Sequence, residues 1–180
     1  MFCKKNKILV LILLLILSLS ANDIKNKTED AIENVFNGNV EYEMIVFNIP
    51  LDLKNKIERE VQQTFFQDKL YIWKVRKNGK AVGFAVLDNV LGKSLPITFL
   101  VIFDTDCRII NSSVIQYREP YGGAVKNENW NAQFKNKDSS SSYDVGKEIN
   151  GISGATISVH SVSKGIHKLA LLLPEIKDQL

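Results

Sequence analysis

The sequence predicts an α+β domain, an antiparallel β-sheet with helices packed on one face, and three observations predict it. Four runs rich in β-branched, aliphatic and aromatic residues occupy residues 70–75, 81–90, 97–103 and 108–117. Asn78-Gly79 separates the first two, and both residue types tolerate the positive φ that a two-residue hairpin turn needs. Apolar residues at helical spacing mark segments before and after these runs, so one stripe of each has a sheet to pack against.

Taken in order, the chain opens with Lys4, Lys5 and Lys7 ahead of an unbroken aliphatic run over residues 8–17, and Ser18-Leu19-Ser20 then satisfies the small-x-small rule for signal cleavage. A run this short suits a signal peptide better than a membrane span, which needs about 20 residues. Residues 1–20 are therefore expected to be a signal peptide or N-terminal membrane anchor. Cys3 precedes the aliphatic run, the wrong side for lipoprotein processing.

Polar residues 21–27 are expected to form a tether, and residues 28–180 a single domain. Residues 28–36 predict a short helix with Thr28 as N-cap, and residues 40–47 a strand. Residues 52–66 predict a helix burying Leu53, Ile57, Val61 and Phe65. Asn78-Gly79 and the tight Asp104-Thr105-Asp106 connection then join the four runs into an antiparallel meander. Residues 129–134 predict a short helix, and residues 135–143, with four consecutive serines, an exposed loop. The last helix, over residues 158–173, puts Val159, Val162, Ile166, Leu169, Ala170 and Leu173 on one face before Pro174 stops it.

Composition removes several function classes. The chain of 180 residues is 45% hydrophobic and 24% charged, enough for one core. Its formal charge of +3 falls to zero if the three leading lysines are cleaved away, which leaves no basic excess for nucleic acid. Only Cys107 remains beyond the leader, so no intrachain disulfide forms. His160 and His167 stand seven residues apart, too far to chelate one ion as an i, i+4 pair does, and read as solvated residues beside Lys164; no metal site is expected. Trp73 and Trp130 have core or lid readings. No P-loop, dinucleotide fingerprint or nucleophile elbow is present.

What stands out is Asn150-Gly151-Ile152-Ser153-Gly154-Ala155-Thr156-Ile157-Ser158, small and hydroxyl residues opening into the last helix. A helix N-terminus offers free N–H groups and partial positive charge to a phosphate, and Gly154 and Ala155 keep bulk away while Thr156 supplies an esterifiable hydroxyl. On residues alone, the plain reading is a capping turn with Thr156 or Ser158 as the cap. A second cluster, Arg118-Glu119-Pro120-Tyr121-Gly122-Gly123, has paired glycines that let backbone approach a flat ring, an aromatic to stack on it, Glu119 to accept from hydroxyls and Arg118 to meet an anion. Its plain alternative is a hairpin end with a surface Arg/Glu pair.

Ser153-Gly154-Ala155-Thr156 resembles the flavin-attachment motif of the FMN-binding domain family, whose members are related to the C subunit of the sodium-pumping NADH:quinone oxidoreductase and the G subunit of the Rnf complex. The segments at Leu91-Gly92-Lys93, Pro96-Ile97-Thr98-Phe99, residues 117–123 and Trp130-Asn131-Ala132-Gln133-Phe134 extend the resemblance across residues 81–173. It implies a phosphoester of FMN on Thr156, with Ser153, Gly154, Ala155, Ile157 and Ser158 around it and Arg118, Glu119, Tyr121, Gly122 and Gly123 near the ring. It further implies an exported, extracytoplasmic flavoprotein, periplasmic or at the cell surface, that relays electrons between membrane or extracytoplasmic redox partners after loading by an FAD-dependent flavin transferase. Asn150 departs from the pattern, which places aspartate three residues before the motif's first hydroxyl residue. That departure favours the alternative, a non-catalytic exported binding or adaptor domain of the same fold without flavin.

Overall fold

The computed structural model describes residues 22–180. Its centre is a five-stranded antiparallel sheet in sequential order: β1 (Glu41–Asn48), β2 (Lys69–Lys77), β3 (Lys80–Leu91), β4 (Pro96–Phe103) and β5 (Ile109–Gln116). The meander follows from its turns. Lys77 pairs with Lys80 across a two-residue loop in which Asn78 and Gly79 have φ of 53° and 73°, the left-handed pair that this hairpin requires. Between β4 and β5, Asp104 Oδ1 accepts from the amides of Asp106 and Arg108, both at 2.9 Å.

Two layers flank the sheet. On one face lie α2 (Leu51–Val61), a short α3 (Glu128–Asn131) continued by a 3₁₀ turn (Ala132–Phe134), and α4 (Thr156–Ile176). The apolar stripe of α4 expected from the sequence is buried throughout, against Phe84, Val86, Phe99 and Val101. The expected one-sided layer is therefore present, but the opposite face is also partly covered. There α1, the helix over residues 22–35, sets Ile32 against Trp73, Val75, Ala85, Leu87, Leu100 and Ile102. Double coverage explains why β3 and β4 read as continuous apolar runs instead of alternating ones.

Several boundaries moved. Of the residues expected as a polar tether, 22–27 are already helical, and Thr28 is not an N-cap: it lies inside α1, where its Oγ1 donates to the carbonyl of Ile24 at 2.8 Å. α2 ends at Val61 because Gln62 turns left-handed at φ 55°; Phe65 still reaches the core, its amide held by Glu58 Oε1 at 2.7 Å. Pro174 does not stop α4, since its missing N–H forfeits a single ladder bond in the last turn and the helix runs on to Ile176. The serine loop is exposed at Ser139 and Ser140, yet Tyr143 is buried, stacked between Phe134 and His167. Asp138 orders that loop by accepting from the hydroxyls of Ser140 and Ser141.

Lys168, which no motif or spacing sets apart, lies wholly buried on the inner face of α4. Its Nζ donates to the carbonyl of Thr64 at 2.8 Å, sits 4.5 Å from the Phe65 ring and approaches Asp88 Oδ2 at 3.7 Å. Among the described residues no helix is long and apolar enough to cross a membrane; the expected signal or anchor at residues 1–20 lies outside them.

At the crossing of α4 over the sheet, Gly165 leaves no room: a Cβ there would stand 2.7 Å from Val90 Cγ1 and 2.8 Å from the Phe99 ring. Gly→Ala inside a helix ordinarily gains roughly 1 kcal/mol of propensity. Here overpacking, typically about 1–3 kcal/mol, outweighs it. Gly165→Ala should therefore lower the urea midpoint, and a neutral or stabilising result would show that the helix is not seated this closely.

Candidate functional site

The site is organised by the first turn of α4. The chain turns at Ser153-Gly154, the Ala155 amide donates to Ile152, and Ala155 becomes the N-cap with no side-chain hydrogen bond. The capping alternative for Thr156 or Ser158 is thus not what the fold uses. The first intrahelical bond runs from the Val159 amide to the Ala155 carbonyl at 2.9 Å. The amides of Thr156, Ile157 and Ser158 consequently have no intrahelical acceptor, and the positive end of a 21-residue helix is presented at an exposed Thr156.

Thr156, Ile157, Ser158, Gly154 and Ala155 form one wall of an open cleft of about 560 Å³. The opposite wall comes from the β3–β4 turn, with Lys93 and Leu95, and from Tyr121 and Gly122 after β5. Three apolar side chains stand exposed around it: Tyr121 at 83%, Ile157 at 50% and Leu95 at 41%. Ser153 is exposed in the turn but does not line the cleft.

Hydrogen bonds lock the two walls together. The Tyr117 hydroxyl has one proton, which it donates to the Tyr121 carbonyl, so at 2.9 Å the Ser158 hydroxyl is the donor to Tyr117. Ser158, expected beside the cofactor, lines the cleft and is also buried, its hydroxyl a latch between α4 and the turn after β5. Gly122 supports that latch: at φ 83° it is left-handed, and a Cβ would fall 2.6 Å from the Tyr117 hydroxyl and 3.0 Å from Ser158 Oγ. The close approach made by Gly122 is therefore to its own chain. Gly123 begins a 3₁₀ turn (Gly123–Lys126), has ordinary space around it and does not line the cleft.

The Arg118/Glu119 pair divides between the two faces. Glu119 lines the cleft, but its Oε1 accepts from the amides of Ser94 at 2.9 Å and Leu95 at 3.2 Å, holding the β3–β4 turn in place of an incoming hydroxyl. These backbone donors hold its carboxyl below the ordinary carboxylate range. Arg118 turns to the other side of the sheet, donating to the Pro96 carbonyl, Thr98 Oγ1 and Gln116 Oε1, and does not meet an anion in this cleft.

Trp130 takes its core reading, buried edge-on to Phe134, and its Nε1 donates 2.8 Å to the Asn150 carbonyl. The Asn150 amide donates to Gln133 Oε1 at 2.8 Å. Asn150 is thus anchored through its backbone, with its side chain exposed. Of the two histidines, His160 is exposed as expected. His167 is not: its ring stacks on Tyr143 with centroids 4.5 Å apart, and burial pushes its imidazole below the usual range. No group of three or more metal-capable side chains exists among the described residues.

Lys93 and Leu95 were not singled out as site residues. The β3–β4 turn, held by the Glu119 clamp, brings them opposite Thr156, 63 and 61 residues away along the chain, and no spacing rule signals that. The family model described as FMN-binding domain matches residues 92–170, from this turn to within the fourth turn of α4. No curated protein matches the chain.

Because its folded-state pKa is depressed, Glu119 contributes stability above its unfolded pKa, and that contribution is lost as pH falls through the folded value. Glu119→Gln should lower the protection of the Ser94 and Leu95 amides relative to their intrinsic exchange rates at neutral pH, and acidification through the folded-state value should lower the same protection in wild type. Exchange unchanged in the variant would show that the turn holds its shape unaided.

Proposed function

We propose that this chain, a member of the FMN-binding domain family through residues 92–170, carries its FMN as a phosphoester on Thr156 and relays electrons between extracytoplasmic or membrane redox partners. The observation that carries this reading is the exposed, uncapped Thr156 hydroxyl at the positive end of α4, opening on a cleft with one lysine and three exposed apolar side chains. The cleft falls within the range of roughly 300–1,000 Å³ usual for small-molecule sites.

The residues present fit the group. The free amides of the first turn and Lys93 match a phosphate, while Tyr121, Ile157 and Leu95 offer apolar surface for a flat ring. When bound, the isoalloxazine supplies the redox chemistry; the chain's part is to fix its place and surroundings. Loading would place the FMN phosphate on Thr156 Oγ by transfer from FAD, with AMP as the leaving group, the threonine proton passing to a base and no electrons transferred. A covalent tether suits an exported protein, which the expected leader at residues 1–20 would make it, because a lost cofactor could not be replaced from the cytoplasm.

Asn150 supports the second reading, the flavin-free adaptor, only if the transferase requires a carboxylate there. Its exposed side chain and anchored backbone mean that aspartate can replace it without disturbing the fold.

Two measurements test these readings. Thr156→Ala should give folded protein with no flavin fluorescence on a denaturing gel; fluorescence persisting on that chain removes Thr156 as the attachment point. Protein co-produced with the transferase should be substantially flavinylated with Asn150 in place, and Asn150→Asp should change occupancy by less than about twofold, a difference under ~0.5 kcal/mol. Occupancy rising from near zero in the aspartate variant would favour the adaptor.

A further inference from the structure

On the sheet face away from Thr156, α1 covers only part of the surface. Where the described part of that helix begins, a cleft of about 370 Å³ opens, walled by Ile24, Met44, Tyr71, Trp73 and Leu87. Met44 and its neighbour Val46 on the same face of β1 are 46% and 49% exposed, so this end of the face is unpartnered among the described residues.

The polar groups at this apolar wall are biased to one sign. Arg118 lines the cleft, and its three hydrogen bonds all go to neutral oxygens, those of Pro96, Thr98 and Gln116. Two of the five guanidinium N–H groups, including Nε, thus remain without an acceptor among the described residues, and no carboxylate balances the charge. Thr98 passes its proton to Asn89 Oδ1 at 2.6 Å, which leaves the Asn89 amide nitrogen as a donor at the same wall. Trp73 is only 2% exposed, and its Nε1 has no acceptor among the described residues. Lys25, the other cation here, has a carboxylate neighbour on its own helix, Glu29, at 3.8 Å. The cleft therefore offers surplus donors, an unpaired cation and an apolar body.

We infer that this second cleft binds an apolar monocarboxylate, with the carboxylate at Arg118 and the acyl or aryl body along Met44, Tyr71 and Leu87. The guanidinium N–H groups left without an acceptor among the described residues are satisfied by an anionic oxygen, and charge-assisted bonds of this kind are about twice as strong as neutral ones. The site is separate from the Thr156 cleft and does not depend on flavin.

The test uses the full chain, with tryptophan emission as the readout. Trp73 lies in this wall, whereas Trp130 is packed on the other side of the sheet. Sodium octanoate and sodium benzoate are titrated against octan-1-ol. A saturable change with either carboxylate, at least about tenfold tighter than with the alcohol and absent in Trp73→Phe, is expected; the tighter of the two identifies the body as acyl or aryl. Arg118 also holds β4 and β5, so the charge is tested at exposed Met44 instead. Met44→Glu removes part of the apolar wall and adds a like charge, so it should weaken both kinds of ligand, and the carboxylate at least about threefold more than the alcohol. Equal affinity for octan-1-ol, an unchanged response in Met44→Glu, or no saturable change at Trp73 because residues 1–21 or nothing at all fills the cleft would each overturn the inference.

Discussion

The seating of α4 on the sheet at Gly165 is the contact on which the rest of the molecule depends. Without a Cβ, the helix backbone comes down onto Val90 and Phe99 until side chains of β3 and β4 meet it directly. A helix held that closely cannot rotate or slide, and Val159, Val162, Ile166, Leu169 and Leu173 are committed to one register in the core. Thr156 is nine residues upstream on the same rigid rod, so its exposure at the mouth of the cleft is a consequence of where Gly165 crosses the sheet.

The second constraint is polar and deeper. Lys168 and Asp88 join α4 to β3 inside the same layer, where burial opposes both charges, raising the carboxyl and lowering the ammonium from their ordinary ranges. Thr64 and the Phe65 ring offset part of the cost at Lys168, whereas Asp88 Oδ2 has no hydrogen-bond donor among the described residues. Such a pair adds little net stability but makes a shifted helix expensive, because an unpartnered buried charge costs about 3–5 kcal/mol. Apolar packing holds α4 down, and the ion pair selects one position for it.

Around the helix end, polar side chains of the chain itself do what a ligand would otherwise be asked to do. Tyr117, Ser158 and the Tyr121 carbonyl tie the turn after β5 to α4, and Glu119 ties the β3–β4 turn to the same segment. Both cleft walls are in place before anything binds, which lowers the ordering cost of binding. Alternation along the turn after β5 explains why Arg118 and Glu119, adjacent in sequence, serve opposite faces of the sheet.

By itself the sequence determined the local and periodic features: the sheet meander, the Asn78-Gly79 hairpin, the buried stripe of α4, and a small-residue turn leading to Thr156. These follow from backbone sterics and burial periodicity, which act over a few residues. It also carried the family resemblance, because the motif segments are contiguous. Only the tertiary structure decided that α1 covers the second face, that Pro174 lies inside its helix, that Ser158 and Gly122 form a latch, that Arg118 leaves the cleft, and that Lys93 and Leu95 enter it. Each of those outcomes depends on which groups meet across dozens of residues. A hydroxyl, glycine or arginine looks the same in sequence whether its partner is a ligand or the chain's own backbone, and the choice is made by packing.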